Sequence, residues 1–152
     1  MYSKEEAISN KKEFWTKFGF FSQTKRESLG LEKKWLAHNT GINSVNLKFD
    51  FEKKQALVGI EINTNNLDEE QKYYNRFLDL KNIIDNKFEE SPIWNPDFKT
   101  ESGKYVCKIY HIFNNVNIND KSCWPGVFQF FFNYMSIYES FYNEFMELIQ
   151  DS

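Results

Sequence analysis

Two neighbouring segments in which apolar and polar residues alternate constrain the fold of this chain more than any other feature. The first spans residues 44–50 and the second spans residues 55–63. Their apolar residues are Val45, Leu47 and Phe49, followed by Ala56, Val58, Ile60 and Ile62. A repeat of two is typical of a half-buried strand. The four-residue segment 51–54 therefore predicts that the two strands form a hairpin.

The hairpin register follows from pairing the apolar residues with each other. Pairing Asp50 with Gln55 places Val45 opposite Ile60, Leu47 opposite Val58 and Phe49 opposite Ala56. This register leaves an open face that carries Asn46, Lys48, Asp50, Leu57 and Glu61. We expect a partner to bind there, and the candidate binding residues are Asn46, Lys48, Asp50 and Glu61.

Three helices and three more strands are predicted around the hairpin. A capping box of Ser3 and Glu6 starts the first helix, which we expect to exit at Gly19 into a polar loop over 22–30. A strand over residues 32–38 follows, closed by a turn over 39–41. The second helix is predicted to begin near Asn66. It should end before Pro92, because proline disfavours a helical conformation of the residue that precedes it. A second hairpin over 93–98 and 104–113 precedes the closing helix, over 123–149, which Ser122 or Asp120 caps.

These elements predict one α+β domain over residues 1–152, in the order α-β-β-β-α-β-β-α. The antiparallel-rich sheet would have about five strands packed by three helices, mainly on one face. A chain of 152 residues with 41% apolar residues buries enough surface to fold without a metal or disulfides. Trp15, Trp35 and Trp124 lie on apolar stripes or at a helix entry, so we expect them in the core. Gly59 inside a strand indicates a bulge or close packing.

The closing helix carries aromatic residues nearly all round its first half, which indicates deep burial or contact with another chain. At about 1.5 Å per residue it would be roughly 40 Å long. Either the sheet covers its whole length, or one end projects past the core. The second alternative predicts weak homo-oligomerisation through Tyr138, Phe141, Tyr142 and Phe145.

Charge and cysteine content bound the class of protein. Residues 1–66 carry 11 Lys and Arg against 8 Asp and Glu, whereas residues 67–152 carry 8 against 14. This excess of basic residues is too weak to indicate nucleic-acid binding by itself, and we interpret the pairs Lys11-Lys12, Lys25-Arg26, Lys33-Lys34 and Lys53-Lys54 as solvated. Two isolated cysteines favour reduced thiols. No signal-peptide core or run of 18 apolar residues occurs, so we expect a cytoplasmic protein with no membrane partner.

A metal-dependent nuclease is the sharpest enzymatic hypothesis, because a restriction-endonuclease core has a similar order of elements. Its chemistry needs an acid on one hairpin strand and acid-x-Lys on the next, within reach of one Mg²⁺. Asp50 and Glu61-Ile62-Asn63 are the matching residues, but Asn63 replaces the lysine. In the predicted register Glu61 lies opposite Ser44, which puts Asp50 about 20 Å away at ~3.4 Å per residue. We therefore predict no nuclease activity.

Other catalytic or metal sites find less support. His38, His111, Cys107 and Cys123 have no metal-ligand spacing, and Cys107 and His111 are about 14 Å apart along one strand. Motifs for acyl transfer or nucleotide binding do not occur. We predict no cofactor.

The chain resembles domain-of-unknown-function family 4268, an uncharacterised bacterial family, over nearly its whole length. The residues that carry the resemblance are Ser3–Ala7, Phe14-Trp15, Phe18-Gly19, Trp35, Thr40–Ile42, Ala56–Ile62, Gly103, Ile109-Tyr110, Trp124-Pro125 and Phe130-Phe131. Most of them are packing and turn residues, so the resemblance implies a fold and no active site. Some members are short single-domain proteins, and others resemble the tail of longer proteins with a restriction-type nuclease in front. That association implies a nucleic-acid context.

The sequence therefore favours a non-catalytic binding or interaction module, accessory to nucleic-acid-processing proteins, with a protein or nucleic-acid partner. A diverged restriction-endonuclease-like enzyme without activity is the alternative. A self-associating structural protein is a third.

Overall fold

The computed structural model describes residues 3–31 and 44–150. The elements are α1 (Lys4–Ser28), β1 (Val45–Phe51), β2 (Gln55–Ile62), α2 (Leu67–Asp79), α3 (Lys81–Asn86), β3 (Ile93–Lys99), β4 (Tyr105–Asn114) and α4 (Trp124–Gln150). In this part of the chain the strands form one antiparallel sheet in the order β1-β2-β4-β3. The predicted α+β class is confirmed. The predicted strand over 32–38, its turn over 39–41, Trp35 and His38 lie outside the described residues.

Helix α1 starts as predicted and ends later than predicted. The Ser3 hydroxyl accepts the N–H of Glu6, and the Glu6 carboxylate accepts the N–H of Ser3. The predicted exit at Gly19 and polar loop over 22–30 are wrong, because the helix continues to Ser28. Its buried row extends at four-residue spacing through Phe14, Phe18, Ser22 and Arg26. Burial of this row outweighs the ~1 kcal/mol that a glycine costs inside a helix.

Gly30 supplies the stop signal of α1. Its φ is +74°, a left-handed conformation that glycine adopts without the steric penalty of a Cβ atom. The N–H of Leu31 donates to the carbonyl of Arg26 at 2.9 Å, and the N–H of Gly30 donates to the carbonyl of Glu27 at 3.0 Å. These two bonds form a Schellman motif, which satisfies carbonyls in the last turn of the helix.

The second predicted helix forms two helices, α2 and α3, which meet at Leu80. The predicted start near Asn66 is confirmed, and the Asn66 side chain caps the helix by accepting the N–H groups of Asp68 and Glu69. Leu80 has φ −105° and ψ 11°, which interrupts the helical geometry. Helix α4 is preceded by a 3₁₀ helix over Lys121–Cys123, whose cap is Asp120.

The β1–β2 hairpin forms, but its predicted register is wrong by two residues. The N–H of Asn63 donates to the carbonyl of Ser44 at 2.8 Å, and the N–H of Glu52 donates to the carbonyl of Gln55 at 3.1 Å. An antiparallel ladder with these bonds places Val45 opposite Ile62 and Leu47 opposite Ile60. The shorter turn extends β1 to Phe51, which the prediction had placed in the loop and which is buried. Its burial favours the observed register.

The second hairpin pairs β3 with β4, as predicted, with Ile93 opposite Tyr110 and Asn95 opposite Lys108. A register shift lies between Asn95 and Phe98. On the neighbouring strand, a Cβ atom at Gly59 would overlap the carbonyl oxygen of Ile109. The predicted close packing at Gly59 is therefore confirmed.

The described residues divide into two compact units. The first unit comprises residues 3–31, 49–57 and 112–133. Its core is a cluster of aromatic rings around Phe14, whose ring centroid lies 4.8 Å from that of Phe51, 5.4 Å from that of Trp124 and 6.1 Å from that of Phe131. Trp124 is buried, as predicted, and its indole N–H donates to the carbonyl of Ile118 at 2.9 Å. Trp15 is half-buried and stacks on Phe131.

The second unit comprises residues 44–48, 58–111 and 134–150. Helix α2 contacts β3 through Tyr74 and Trp94, whose ring centroids are 6.1 Å apart. Helices α2 and α4 meet through Phe77 and Phe141, whose rings are 6.4 Å apart. The prediction of one domain over 1–152 stays a prediction.

The aromatic stripe in the second half of α4 belongs to the core of the second unit. Tyr138, Phe141 and Tyr142 are buried and Phe145 is half-buried. Of the two alternatives, the one in which this stripe is left exposed is wrong, because other elements of the same unit cover it. No helix in the described ranges has the length and apolar character needed to cross a membrane.

Candidate functional site

The candidate binding face is less open than the sequence predicts. Asn46, Lys48 and Asp50 lie on β1 and are half-buried. Glu61 on β2 is only 3% exposed, and Leu57 on the same strand is also buried. Asn46, Lys48 and Glu61 belong to the second unit, whereas Asp50 belongs to the first. The predicted open face is therefore buried at its β2 residues and half-buried at its β1 residues.

Glu61 lies between two lysines from different strands. Lys48 Nζ is 3.3 Å from Glu61 Oε2, and Lys108 Nζ is 3.6 Å from Glu61 Oε1. The Lys48 side chain is 42% exposed, whereas that of Lys108 is 1% exposed. We call these three residues the Lys–Glu–Lys row. The row thus extends from Lys48, which is half-buried on β1, to Lys108, which is fully buried on β4.

The geometry of the row gives its two ion pairs different characters. Lys48 donates a hydrogen bond to Glu61 Oε2. At 3.6 Å the contact of Lys108 with Oε1 is longer than a good N–H···O hydrogen bond, and Oε1 is buried without a hydrogen-bond partner. The attraction of Lys108 for Oε1 is therefore mainly electrostatic. A charge pair in such a buried position interacts strongly because water screens it little.

Lys108 is the member of the row that the sequence analysis missed. It is fully buried in β4, and its ammonium lies 4.7 Å from the ring centroid of Phe98 and 5.9 Å from that of Tyr110. Aromatic faces attract cations at such distances. The sequence signal was that Lys108 lies two residues from both Val106 and Tyr110 in a predicted strand, which places it on the same face as these two residues. Both neighbours are buried in the structure. That signal does not reveal which carboxylate the lysine pairs with.

The residues of the nuclease hypothesis have other contacts. Glu61 lies beside Asn46 in the observed register, so its predicted position opposite Ser44 is wrong. Glu61 forms an ion pair with Lys48, and both were candidate residues of the predicted open face. Asn63, which stands where the nuclease motif has lysine, accepts a hydrogen bond from Lys104 Nζ through Oδ1.

The cysteines are separate and hydrogen-bonded to main-chain carbonyls. In the second unit, burial raises the pKa of Cys107 to about 12, and its Sγ lies 3.5 Å from the carbonyl oxygen of Pro96. In the first unit, burial raises the pKa of Cys123, whose Sγ lies 3.3 Å from the carbonyl oxygen of Asn117. Thiols with raised pKa values are poor nucleophiles and poor metal ligands at neutral pH. Across residues 3–31 and 44–150, no group of three or more His, Cys, Asp or Glu residues could hold a metal ion.

The basic pairs are not equivalent. Arg26 is buried in the core of the first unit, so the interpretation of Lys25-Arg26 as a solvated pair is wrong for Arg26. Lys25 donates to Gln129 and lies 4.6 Å from the ring centroid of Phe132. Lys11 and Lys12 are exposed on α1, where consecutive side chains point about 100° apart. Lys53-Lys54 is exposed in the β1–β2 turn, and Lys33-Lys34 lies outside the described residues.

The two units differ in charge. The described part of the first unit has nine Lys and Arg against seven Asp and Glu, and that of the second has eight against thirteen. The second unit is therefore acidic, and the Lys–Glu–Lys row is a local basic feature within it.

The family model described as "Domain of unknown function (DUF4268)" matches residues 10–146. The chain belongs to this family. The match spans both units and includes all three residues of the Lys–Glu–Lys row. No curated protein and no solved structure matches the chain.

Proposed function

We propose that this chain is a non-catalytic binding module that is accessory to nucleic-acid-processing proteins. The observation that supports the proposal is that Glu61 forms ion pairs with both Lys48 and Lys108. Its two carboxylate oxygens face two different lysines, at 3.3 Å and 3.6 Å. A carboxylate held in this way balances buried positive charge, and an added divalent cation there would be repelled by both ammonium groups.

The binding surface is the half-exposed edge of the row, at Asn46 and Lys48. Lys48 keeps 42% of its side chain exposed while Glu61 holds it in place. An ammonium ion fixed at a surface can contact a phosphate. The nucleic-acid context comes from the resemblance to proteins with a nuclease-like front part, and it is the partner class that we propose.

The first experiment tests for catalysis. The purified chain is incubated with single-stranded DNA, duplex DNA and RNA in the presence of Mg²⁺ or Mn²⁺. We expect every substrate to remain intact. Metal-dependent cleavage that disappears in Glu61→Ala would overturn the proposal and support the diverged nuclease, provided that circular dichroism shows the variant to be folded.

The second experiment tests for binding, using fluorescence anisotropy with the same three oligonucleotides at about 50 mM salt. We expect dissociation constants in the non-specific range, about 10⁻⁴ to 10⁻⁶ M, that weaken as salt increases. Lys48→Gln should weaken binding. Lys81→Gln is the matched control, because the Lys81 side chain is 43% exposed and also forms an ion pair, with Asp85. Equal effects of both variants would contradict the assigned surface, and no binding up to about 200 μM would contradict a nucleic-acid partner.

A further inference from the structure

His111 connects three segments of the second unit through hydrogen bonds to its two ring nitrogens. It lies in β4 and is buried. Its Nε2 is 2.6 Å from the carbonyl oxygen of Glu90, in the segment after α3. Its Nδ1 is 2.7 Å from the hydroxyl oxygen of Tyr138 in α4. The rings of Tyr134 and Phe88 lie 4.2 Å and 4.4 Å from the imidazole, so aromatic groups enclose it.

The hydrogen bonds determine the protonation state of the imidazole. A main-chain carbonyl can only accept, so Nε2 carries a proton and donates it to Glu90. In neutral histidine the other nitrogen is then an acceptor, and Nδ1 accepts the hydroxyl proton of Tyr138. Both ring nitrogens are satisfied when His111 is neutral.

Protonation disrupts this arrangement at one atom. A proton taken from solvent by Nδ1 turns that nitrogen into a donor that points at the Tyr138 hydroxyl. The hydroxyl must then accept, and its own proton loses the acceptor that it had. Tyr138 is fully buried, and a buried donor that loses its acceptor destabilises the structure that holds it there.

We propose that His111 is an acid-sensitive latch, which holds the second half of α4 and the segment after α3 against β4 while it is neutral and releases them when it is protonated. Burial lowers the pKa of His111 and outweighs the hydrogen bond to the Glu90 carbonyl and the charge of the Glu90 carboxylate, both of which raise it. The latch is therefore closed at neutral pH.

The charged and titratable groups around the latch come from several elements. Glu89 and Glu90 belong to the segment after α3, and their charges raise the pKa of Tyr134 in α4, after the larger effect of burial. Burial, then the neighbouring Tyr134 and Asp85 of α3, raises the pKa of Tyr138 well above its usual range. Strand β3 places Ile93 and Trp94 beside Tyr110 and Ile109, and neither of these β3 side chains titrates. Strand β2 contributes Gly59 there, which has no side chain. The tyrosines stay neutral across the acid range, so His111 is the group that switches.

The sign of the pH dependence follows from linkage. Because the pKa of folded His111 lies below the ordinary value of about 6.5, the released state takes up the proton more readily than the latched state. Stability of the latch is complete above pH ~6.5 and declines as the pH falls toward the folded pKa. Local opening should increase about tenfold for each pH unit in that interval.

The test measures amide hydrogen-exchange protection factors between pH 7.5 and pH 5 in the wild-type chain and in His111→Gln, whose amide can donate to Glu90 but does not titrate. In the wild type, we expect the protection factors of residues 134–150 and 87–92 to decrease as the pH is lowered. In His111→Gln they should stay constant. Helix α1 serves as the internal reference in both proteins. The same pH dependence in both proteins, or an equal loss of protection in α1, would overturn the proposal.

A second measurement does not depend on the folding of the histidine variant. The NMR titration of His111 is followed in the wild-type chain and in Tyr138→Phe, with His38→Gln used to assign the two histidines. The Phe variant lacks the hydroxyl that stabilises the neutral imidazole, so the pKa of His111 should rise. An unchanged pKa would mean that Tyr138 does not hold the latch.

Discussion

At the scale of single residues, Lys108 and Lys48 share one carboxylate but should differ in what they contribute to stability. Lys108 is enclosed by protein and cannot exchange Glu61 for water, whereas Lys48 is partly solvated. Removing one partner of a buried ion pair leaves an uncompensated charge, which typically costs 3–5 kcal/mol. Removing one partner of an exposed pair typically costs less than about 1 kcal/mol.

We therefore expect Glu61→Gln to destabilise the chain by roughly 3–5 kcal/mol, because it removes the carboxylate charge that faces the buried Lys108 ammonium. Lys48→Gln should cost about 1 kcal/mol or less, since Glu61 keeps Lys108. Urea denaturation followed by circular dichroism measures both. Similar midpoints for the two variants would mean that Lys108 is compensated by groups other than Glu61.

At the scale of elements, alternation and capping predicted most strands and helix starts, while tertiary burial decided the rest. The start of α1 follows from Ser3 and Glu6, which lie only three residues apart in sequence. The hairpin register does not follow in this way, because a shift of two residues keeps every side chain on the same face. Burial of Phe51 distinguishes the two registers, and that burial depends on Phe14 and Phe131 elsewhere in the first unit.

The two glycines of α1 allow a test of why this helix ends where it does. Gly30 has φ +74°, whereas Gly19 is helical and a Cβ atom there would meet open space. Gly30→Ala should destabilise the chain by about 1 kcal/mol, because alanine is strained in the left-handed conformation. Gly19→Ala should stabilise it by roughly 0.5–1 kcal/mol. Thermal unfolding of both variants would show opposite shifts, and stabilisation by Gly30→Ala would contradict the Schellman stop.

At the scale of the whole molecule, the candidate site could be predicted only in part. Lys48 and Glu61 come from neighbouring strands of one hairpin, so the alternation of residues brought them together. Lys108 comes from β4, which follows two helices and another strand in the chain. Its position beside Glu61 depends on the strand order β1-β2-β4-β3, which local patterns do not contain. The same limit applies to His111, whose partners lie on α4 and after α3.

The aromatic stripe of α4 offers a whole-molecule test of core packing against self-association. Phe141 is 1% exposed and its ring lies 5.0 Å from that of Phe145 in the same helix. Because it fills the core, Phe141→Ala should destabilise the chain by about 3–5 kcal/mol. Leu148 near the end of α4 is 60% exposed, and Leu148→Ala should change stability by less than about 0.5 kcal/mol.

Sedimentation equilibrium on the same proteins separates the two roles of the stripe. With its aromatic residues covered inside one chain, we expect the monomer mass of 18.3 kDa for the wild type, up to about 100 μM, a concentration at which a weak dimer would be populated. Leu148→Ala should have the same mass. A wild-type dimer that Phe141→Ala converts into a stable monomer would show instead that the stripe is a contact between two copies of the chain, since a residue of the core cannot be removed without a large loss of stability.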